Sequence, residues 1–229
     1  MDTKVTLIKA GLGYVYLIKN NKGSFLVDAG NKGYEKKILQ AVKAAGVEPT
    51  QLKFIFITHA HYDHVGSAAA LTQHTGAPVI VQQHEEKHLK QGYGNLPGGT
   101  APLYKGLIFL GKKAGKTFSK FPPVKPALTF NGELNLKDKF GIEGRIIHTP
   151  GHTYGSATLF IDNMAFVGDT VFNIWKGKII YPVFADNQAL LKESWRKLLE
   201  HEFQYIYPAH GKKLTHREFY REALKKNIV

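Results

Sequence analysis

The 229-residue chain has no cysteine, which excludes disulfides, thiolate-held zinc, iron–sulfur clusters and cysteine nucleophiles together. Any metal it holds must be bound through nitrogen and oxygen. Long apolar runs are missing too. Lys4, Lys9, Gly11 and Gly13 interrupt the N-terminal stretch, so neither a signal-peptide core nor a membrane span can be drawn through it. A soluble, cytoplasmic protein with no membrane partner is the expectation. Acidic residues are few, 18 against 31 lysines and arginines, for a formal net charge of +13. They are absent between Lys87 and Gly132, where Lys87, Lys90, Lys105, Lys112, Lys113, Lys116, Lys120 and Lys125 all fall. Such an excess attracts anions, whether small substrates, nucleic acid or acidic lipid, and it equally describes a solvated basic surface.

Hydrophobic residues make up 43% of the chain, enough to build a core, and its length suits one domain spanning 1–229. β-Branched and aromatic runs at Val5 to Ile8, Tyr14 to Ile18 and Ser24 to Asp28, separated by glycines and asparagines, predict an antiparallel meander. Helical spacing predicts a helix from Tyr34 to Ala45, stopped by Gly46. A buried strand follows at Phe54 to Ile57, then a helix from Gly66 to His74, a strand at Val79 to Val81 and a helix from His84 to Lys90. The basic span, about 87–132, is rich in glycine and proline and reads as an insertion folding over a site. Strands are expected at Arg145 to His148, Ala157 to Ile161, Ala165 to Val167 and Tyr205 to Tyr207. A helix carries the stripe Leu190, Leu191, Trp195, Leu198 and Leu199, and a capping box at Thr215 and Glu218 opens the last one. Strands interleaved with helices in two blocks indicate a layered α/β domain.

His59, His61, Asp63 and His64 lie within six residues, directly after an apolar strand, in the run T-H-A-H-Y-D-H. Neutral imidazole and carboxylate are natural donors to zinc or iron, and a turn at a strand end can aim successive side chains into one pocket. Three more donors sit at glycine-flanked turns after later strands: His152 in T-P-G-H-T-Y-G-S, Asp169 in V-G-D-T and His210 in Y-P-A-H-G. Together they supply what two ions need once a position is kept for water.

On these motifs the chain resembles the metallo-β-lactamase superfamily over nearly its whole length. The pattern H-x-H-x-D-H stands at His59 to His64, and Leu26 to Gly30 looks like the family's early strand ending in an acidic residue and glycine. The resemblance implies an αβ/βα four-layer sandwich with a binuclear site at one edge. One ion would take His59, His61 and His152, the other Asp63, His64 and His210, with Asp169 bridging and Asp28 behind the ligands. Two zinc ions per chain are implied, with iron or manganese as the other candidates. Asp63 and Asp169 enter the catalytic centre as ligands, while metal-activated hydroxide makes the attack.

The missing cysteine argues against β-lactam hydrolysis, and His61 stands where the diiron oxygen-reducing branch has a carboxylate. T-P-G-H-T-Y-G-S and G-D-T-V-F most resemble the glyoxalase II-like hydrolases, although only nineteen residues follow His210 where those enzymes carry a helical glutathione-binding region. The expected function is hydrolysis of a small ester-like bond, a thioester or lactone, in a small and possibly anionic substrate. Phosphodiester or nucleic-acid hydrolysis is the second reading; a mononuclear iron persulfide dioxygenase-like enzyme and a non-catalytic metal binder are the others. Tyr93, Tyr104, Lys112, Tyr154 and Lys176 are the candidate substrate contacts.

Overall fold

A computed structural model describes residues 3–94, 119–175, 178–180, 182 and 184–229, with the backbone alone at 174–175 and 178–180. The first sheet holds β1 (Lys4–Lys9), β2 (Tyr14–Asn20), β3 (Gly23–Val27), β4 (Leu52–Phe56), β5 (Val79–Gln82) and β6 (Leu128–Phe130), ordered in space as in the chain. β1 to β3 form the expected antiparallel meander, and β4, β5 and β6 add in parallel. Between them lie α1 (Glu35–Ala44), α2 (Tyr62–Val65), α3 (Ala68–Thr75) and α4 (Glu86–Gln91).

The second half contributes β7 (Glu133–Asn135), α5 (Leu136–Phe140), β8 (Gly144–His148), β9 (Ala157–Ile161) and β10 (Met164–Gly168). A small hairpin, β11 (Phe172–Trp175) and β12 (Lys178–Ile180), leads to α6 (Gln188–Leu199), β13 (Tyr205–Pro208), β14 (Leu214–Thr215) and α7 (His216–Lys225). The second sheet is ordered β14-β13-β10-β9-β8-β7.

Alternation along the strands builds the layers. Tyr16, Ile18, Phe54, Phe56 and Ile80 face Ile146, Leu159, Ile161 and Phe166 of the second sheet across one core. Their neighbours Val15, Leu17, Ile55, Ile57, Val79 and Val81 turn the other way, to meet Ile38, Val42 and Leu71 of the helices. On the far side, Ile147, Phe160, Ala165 and Val167 pack against Leu191, Trp195, Leu198 and Phe219. The sheets are therefore buried on both faces, which is why their strands read as continuous apolar runs. The result is a helix–sheet–sheet–helix sandwich, the architecture implied by the resemblance.

Three details differ from expectation. The helix expected from Gly66 to His74 is α3, and a separate, unexpected short helix, α2, precedes it and carries Asp63 and His64. At the junction Gly66 lies so close to other backbone that a Cβ would stand 2.3 Å from the Lys32 nitrogen and 2.5 Å from the Tyr62 carbonyl oxygen. β3 stops one residue early because Asp28 adopts a left-handed backbone, φ 63°. The far end of the span 87–132 also holds an unexpected strand, β6 at Leu128 to Phe130, while Lys87 to Gln91 lie in α4, where a helix is expected. The three-residue β6 and β7 are too short to leave a periodic signal in the sequence.

Candidate metal centre

β8 is antiparallel to β9 and β9 to β10, while β10 and β13 run parallel, so β8, β10 and β13 all end at the same edge of their sheet. His152, Asp169 and His210 lie in the turns that follow those three ends. The turn after β4 carries His59 and His61 to the same edge. It is held across the sandwich by the Ala157 amide donating to the Thr58 carbonyl at 3.0 Å. Gly168 abuts Thr58 so closely that a Cβ there would stand 2.5 Å from its hydroxyl oxygen. The Trp195 indole donates to the Thr170 carbonyl at 2.7 Å and pins the Asp169 turn. The Tyr16 hydroxyl donates to the Pro208 carbonyl at 2.6 Å and steadies the His210 turn.

The seven donors fall into two groups, His59, His61, His152 and Asp169, then Asp63, His64 and His210, with the ligand-capable atoms in each within 4.8 Å of one another. Asp169 lies between the groups. Its Oδ2 is 3.3 Å from Nε2 of His152 and 3.9 Å from Nε2 of His59. Its Oδ1 is 3.3 Å from Nε2 of His64 and 3.4 Å from Nε2 of His210.

Four of the five imidazoles are oriented from behind. Asp28, buried just past β3, accepts the Thr58 amide at 2.8 Å, the Thr58 hydroxyl at 3.0 Å and Nδ1 of His64 at 2.9 Å. Having given its proton to Asp28, the Thr58 hydroxyl accepts from Nδ1 of His59 at 3.1 Å. Nδ1 of His152 donates to the Phe184 carbonyl at 2.8 Å, and Nδ1 of His210 to the Leu12 carbonyl at 3.2 Å. This network assigns the tautomers and presents Nε2 of all four rings to the cluster.

The electrostatics call for a cation. Burial, with the neighbouring imidazoles, holds His59 well below the ordinary histidine pKa, and burial brings His152 down to about 4. Both rings are neutral with Nε2 bare, yet those atoms lie 2.9 and 3.0 Å from Nδ1 of His61. Nδ1 of His61 carries one proton at most, so it cannot give a full hydrogen bond to both. In the other group, burial opposes charge on His64 and His210, but the carboxylates around them prevail and raise both pKa values, Asp169 foremost. For Asp169 burial is likewise overcome, by the imidazoles, which hold it far below the usual carboxylate range. Nε2 of His64 and Oδ1 of Asp169 are buried without a hydrogen bond of acceptable geometry. Orphaned donor atoms, converging lone pairs and an all-nitrogen-and-oxygen set fit divalent ions.

Of the expected substrate contacts, Tyr154 is 54% exposed two residues beyond His152, and Tyr93 is 39% exposed beside Gly94, which lies against the Ala60 carbonyl. Tyr104, Lys112 and Lys176 lie outside the described residues. Sequence reasoning missed Glu85, whose buried carboxylate hydrogen-bonds both histidine-bearing turns. It also missed Leu12, 63% exposed on the loop whose carbonyl orients His210.

Two mixed sheets between helices, with a histidine–carboxylate cluster at one edge that could hold metal, define an α/β sandwich. The chain belongs to the metallo-beta-lactamase superfamily, whose family model matches residues 8–210. A probable metallo-hydrolase of Methanocaldococcus jannaschii is 28% identical over 208 residues, 88% of this chain and 90% of its own length. Hydroxyacylglutathione hydrolase GloC of Haemophilus influenzae is 27% identical over 183 residues, 79% of this chain and 76% of its own. An archaeal metallo-beta-lactamase superfamily protein from Sulfolobus tokodaii shares the fold, with a TM-score of 0.69 over 98% of this chain and 86% of that one at 23% identity. Among the described residues, no helix is long and apolar enough to cross a membrane.

Proposed function

We propose that this protein is a binuclear metallo-hydrolase, with zinc as the first candidate ion, that cleaves an ester-like bond in a small substrate, a thioester or lactone before others. The observation that carries the reading is the division of seven donors into two groups with one oxygen of Asp169 turned to each. His59, His61 and His152 would hold one ion, Asp63, His64 and His210 the other, with Asp169 shared. Ions so held would supply a water of pKa lowered from about 15.7 to about 7 and a Lewis acid for the carbonyl oxygen of the substrate.

The chain's own part is to hold that chemistry in place. Asp28, Thr58 and the carbonyls of Phe184 and Leu12 keep the Nδ1 protons on the outside of the cluster, so the rings cannot rotate out of register. Asp63 and Asp169 stay ionised at neutral pH because the imidazoles around them favour the charged form. They therefore serve as donors, and neither has a proton to give a leaving group. Tyr154, Tyr93 and Leu12 offer apolar surface at the margins of the cluster, which suits an acyl group beside the scissile bond. The relative named as a hydroxyacylglutathione hydrolase supports a thioester. The lysines of the span 87–132 favour an anionic one.

Elemental analysis of freshly purified protein, with kinetics on a hydroxyacylglutathione thioester, a lactone and a phosphodiester, tests this reading. Two zinc ions and turnover of the thioester or lactone are expected. A single iron, or turnover of the phosphodiester alone, would replace it.

A further inference from the structure

Glu85 is 3% exposed and lies in the single 3-10 turn Gln83–Glu85 that joins β5 to α4. Its Oε2 accepts the Ala60 amide at 2.9 Å. Its Oε1 accepts the Thr153 hydroxyl at 2.7 Å and the Gly155 amide at 2.9 Å. Ala60 separates His59 from His61, and Thr153 follows His152. One carboxylate thus ties together the two turns that carry those three imidazoles, turns about 90 residues apart in sequence that nothing covalent keeps in register.

The chemistry of the site requires a carboxylate. Three donors converge on it, and because the Thr153 proton goes to Glu85, the Ser156 hydroxyl donates to Thr153 at 2.8 Å while accepting the Thr153 amide at 3.0 Å. The chain of donors ends at Glu85, and a glutamine there would turn its amide group towards one of them. Space is matched to it as well. A Cβ on Gly155 would stand 2.5 Å from Cγ and 2.6 Å from Oε1 of Glu85, and a Cβ on Gly94 would stand 2.1 Å from the Ala60 carbonyl oxygen. The glycine of the T-Y-G-S turn is therefore needed for the carboxylate to reach the backbone.

We propose that Glu85 is a positioning residue that sets the spacing of His59, His61 and His152, and with it the metal affinity of that group rather than of Asp63, His64 and His210. This rests on the reading of the cluster as a metal centre.

The test titrates metal-free wild type and Glu85→Gln with Zn2+ against a chromogenic chelator and follows amide hydrogen exchange at Ala60 and Gly155. One of two binding steps should weaken about 10- to 100-fold while the other holds, and whichever of the two amides meets the new amide group should exchange faster. A folded variant with wild-type affinity at both steps overturns the proposal, as does equal weakening of both, which is the mark of general loosening. If circular dichroism shows Glu85→Gln unfolded, Thr153→Val, which removes one donor and keeps the shape, carries the test. Weakening of one step by about tenfold supports the proposal, and unchanged affinity overturns it. A wild type that takes up neither zinc nor ferrous iron refutes the metal reading itself, and this proposal with it.

Discussion

Replacing Asp28 with Asn should leave the fold standing and disable half of the metal centre, because the carboxylate selects which nitrogen of His64 carries a proton. Asp28 accepts three donors: the Thr58 amide, the Thr58 hydroxyl and Nδ1 of His64. An Asn oxygen at the Oδ1 position retains both bonds from Thr58, and Asn tolerates the left-handed backbone at φ 63°. Its amide group then faces Nδ1 of His64. A neutral ring answers by moving its proton to Nε2, the atom that should meet the cation. The exchange of one buried hydrogen bond for another should cost about 1 kcal/mol of stability. Asp28→Ala is different in kind. It strands the Thr58 amide and the His64 ring, each costing about 1–3 kcal/mol when buried without an acceptor, so about 2–6 kcal/mol should be lost. Urea denaturation of the metal-free proteins measures both figures. Zinc titration of Asp28→Asn should show one binding step weakened about 10- to 100-fold. Nitrogen NMR at a pH high enough to leave the His64 ring neutral should place its one proton on Nε2 in Asp28→Asn and on Nδ1 in the wild type. Wild-type affinity at both steps, with the proton still on Nδ1, would refute the argument that Asp28 governs this ring.

Asp169→Ala should lose most of the second ion and nearly all hydrolysis, since one oxygen faces each group; elemental analysis and turnover check it. Chelation should abolish activity and leave the far-UV circular dichroism unchanged, because the core between the sheets and helices is complete without metal. Metal affinity should climb with pH. The raised pKa values of His64 and His210 keep protons on both rings through and above the ordinary histidine range near 6.5, and a cation must expel them, so affinity falls as pH drops. Calorimetry in buffers of different ionisation enthalpy counts the protons released.

The donors were legible in the chain because local rules expose them. Four lie in six residues at the end of an apolar run, and the other three stand in glycine-flanked turns after strands. The meander, most helices and the capping box at Thr215 and Glu218 were legible for the same reason, since periodicity and caps are properties of neighbours in sequence. Which strand joins which sheet followed from no such rule, and β6 and β7 left no pattern at all. The division of the seven donors, which the family resemblance implies, follows from no local pattern, and it is the tertiary structure that turns the two oxygens of Asp169 to opposite groups. It alone brought Asp28 to His64, 36 residues on, and the Leu12 carbonyl to His210, 198 residues on. Glu85 shows the limit most plainly. In sequence it is one acidic residue of a pair at the start of a helix, and only the folding of two distant turns onto it, 25 and 68 residues away, makes it a clamp. A buried hydrogen bond depends on desolvation and on partners that arrive from elsewhere in the chain, and neither is written in the residues beside it.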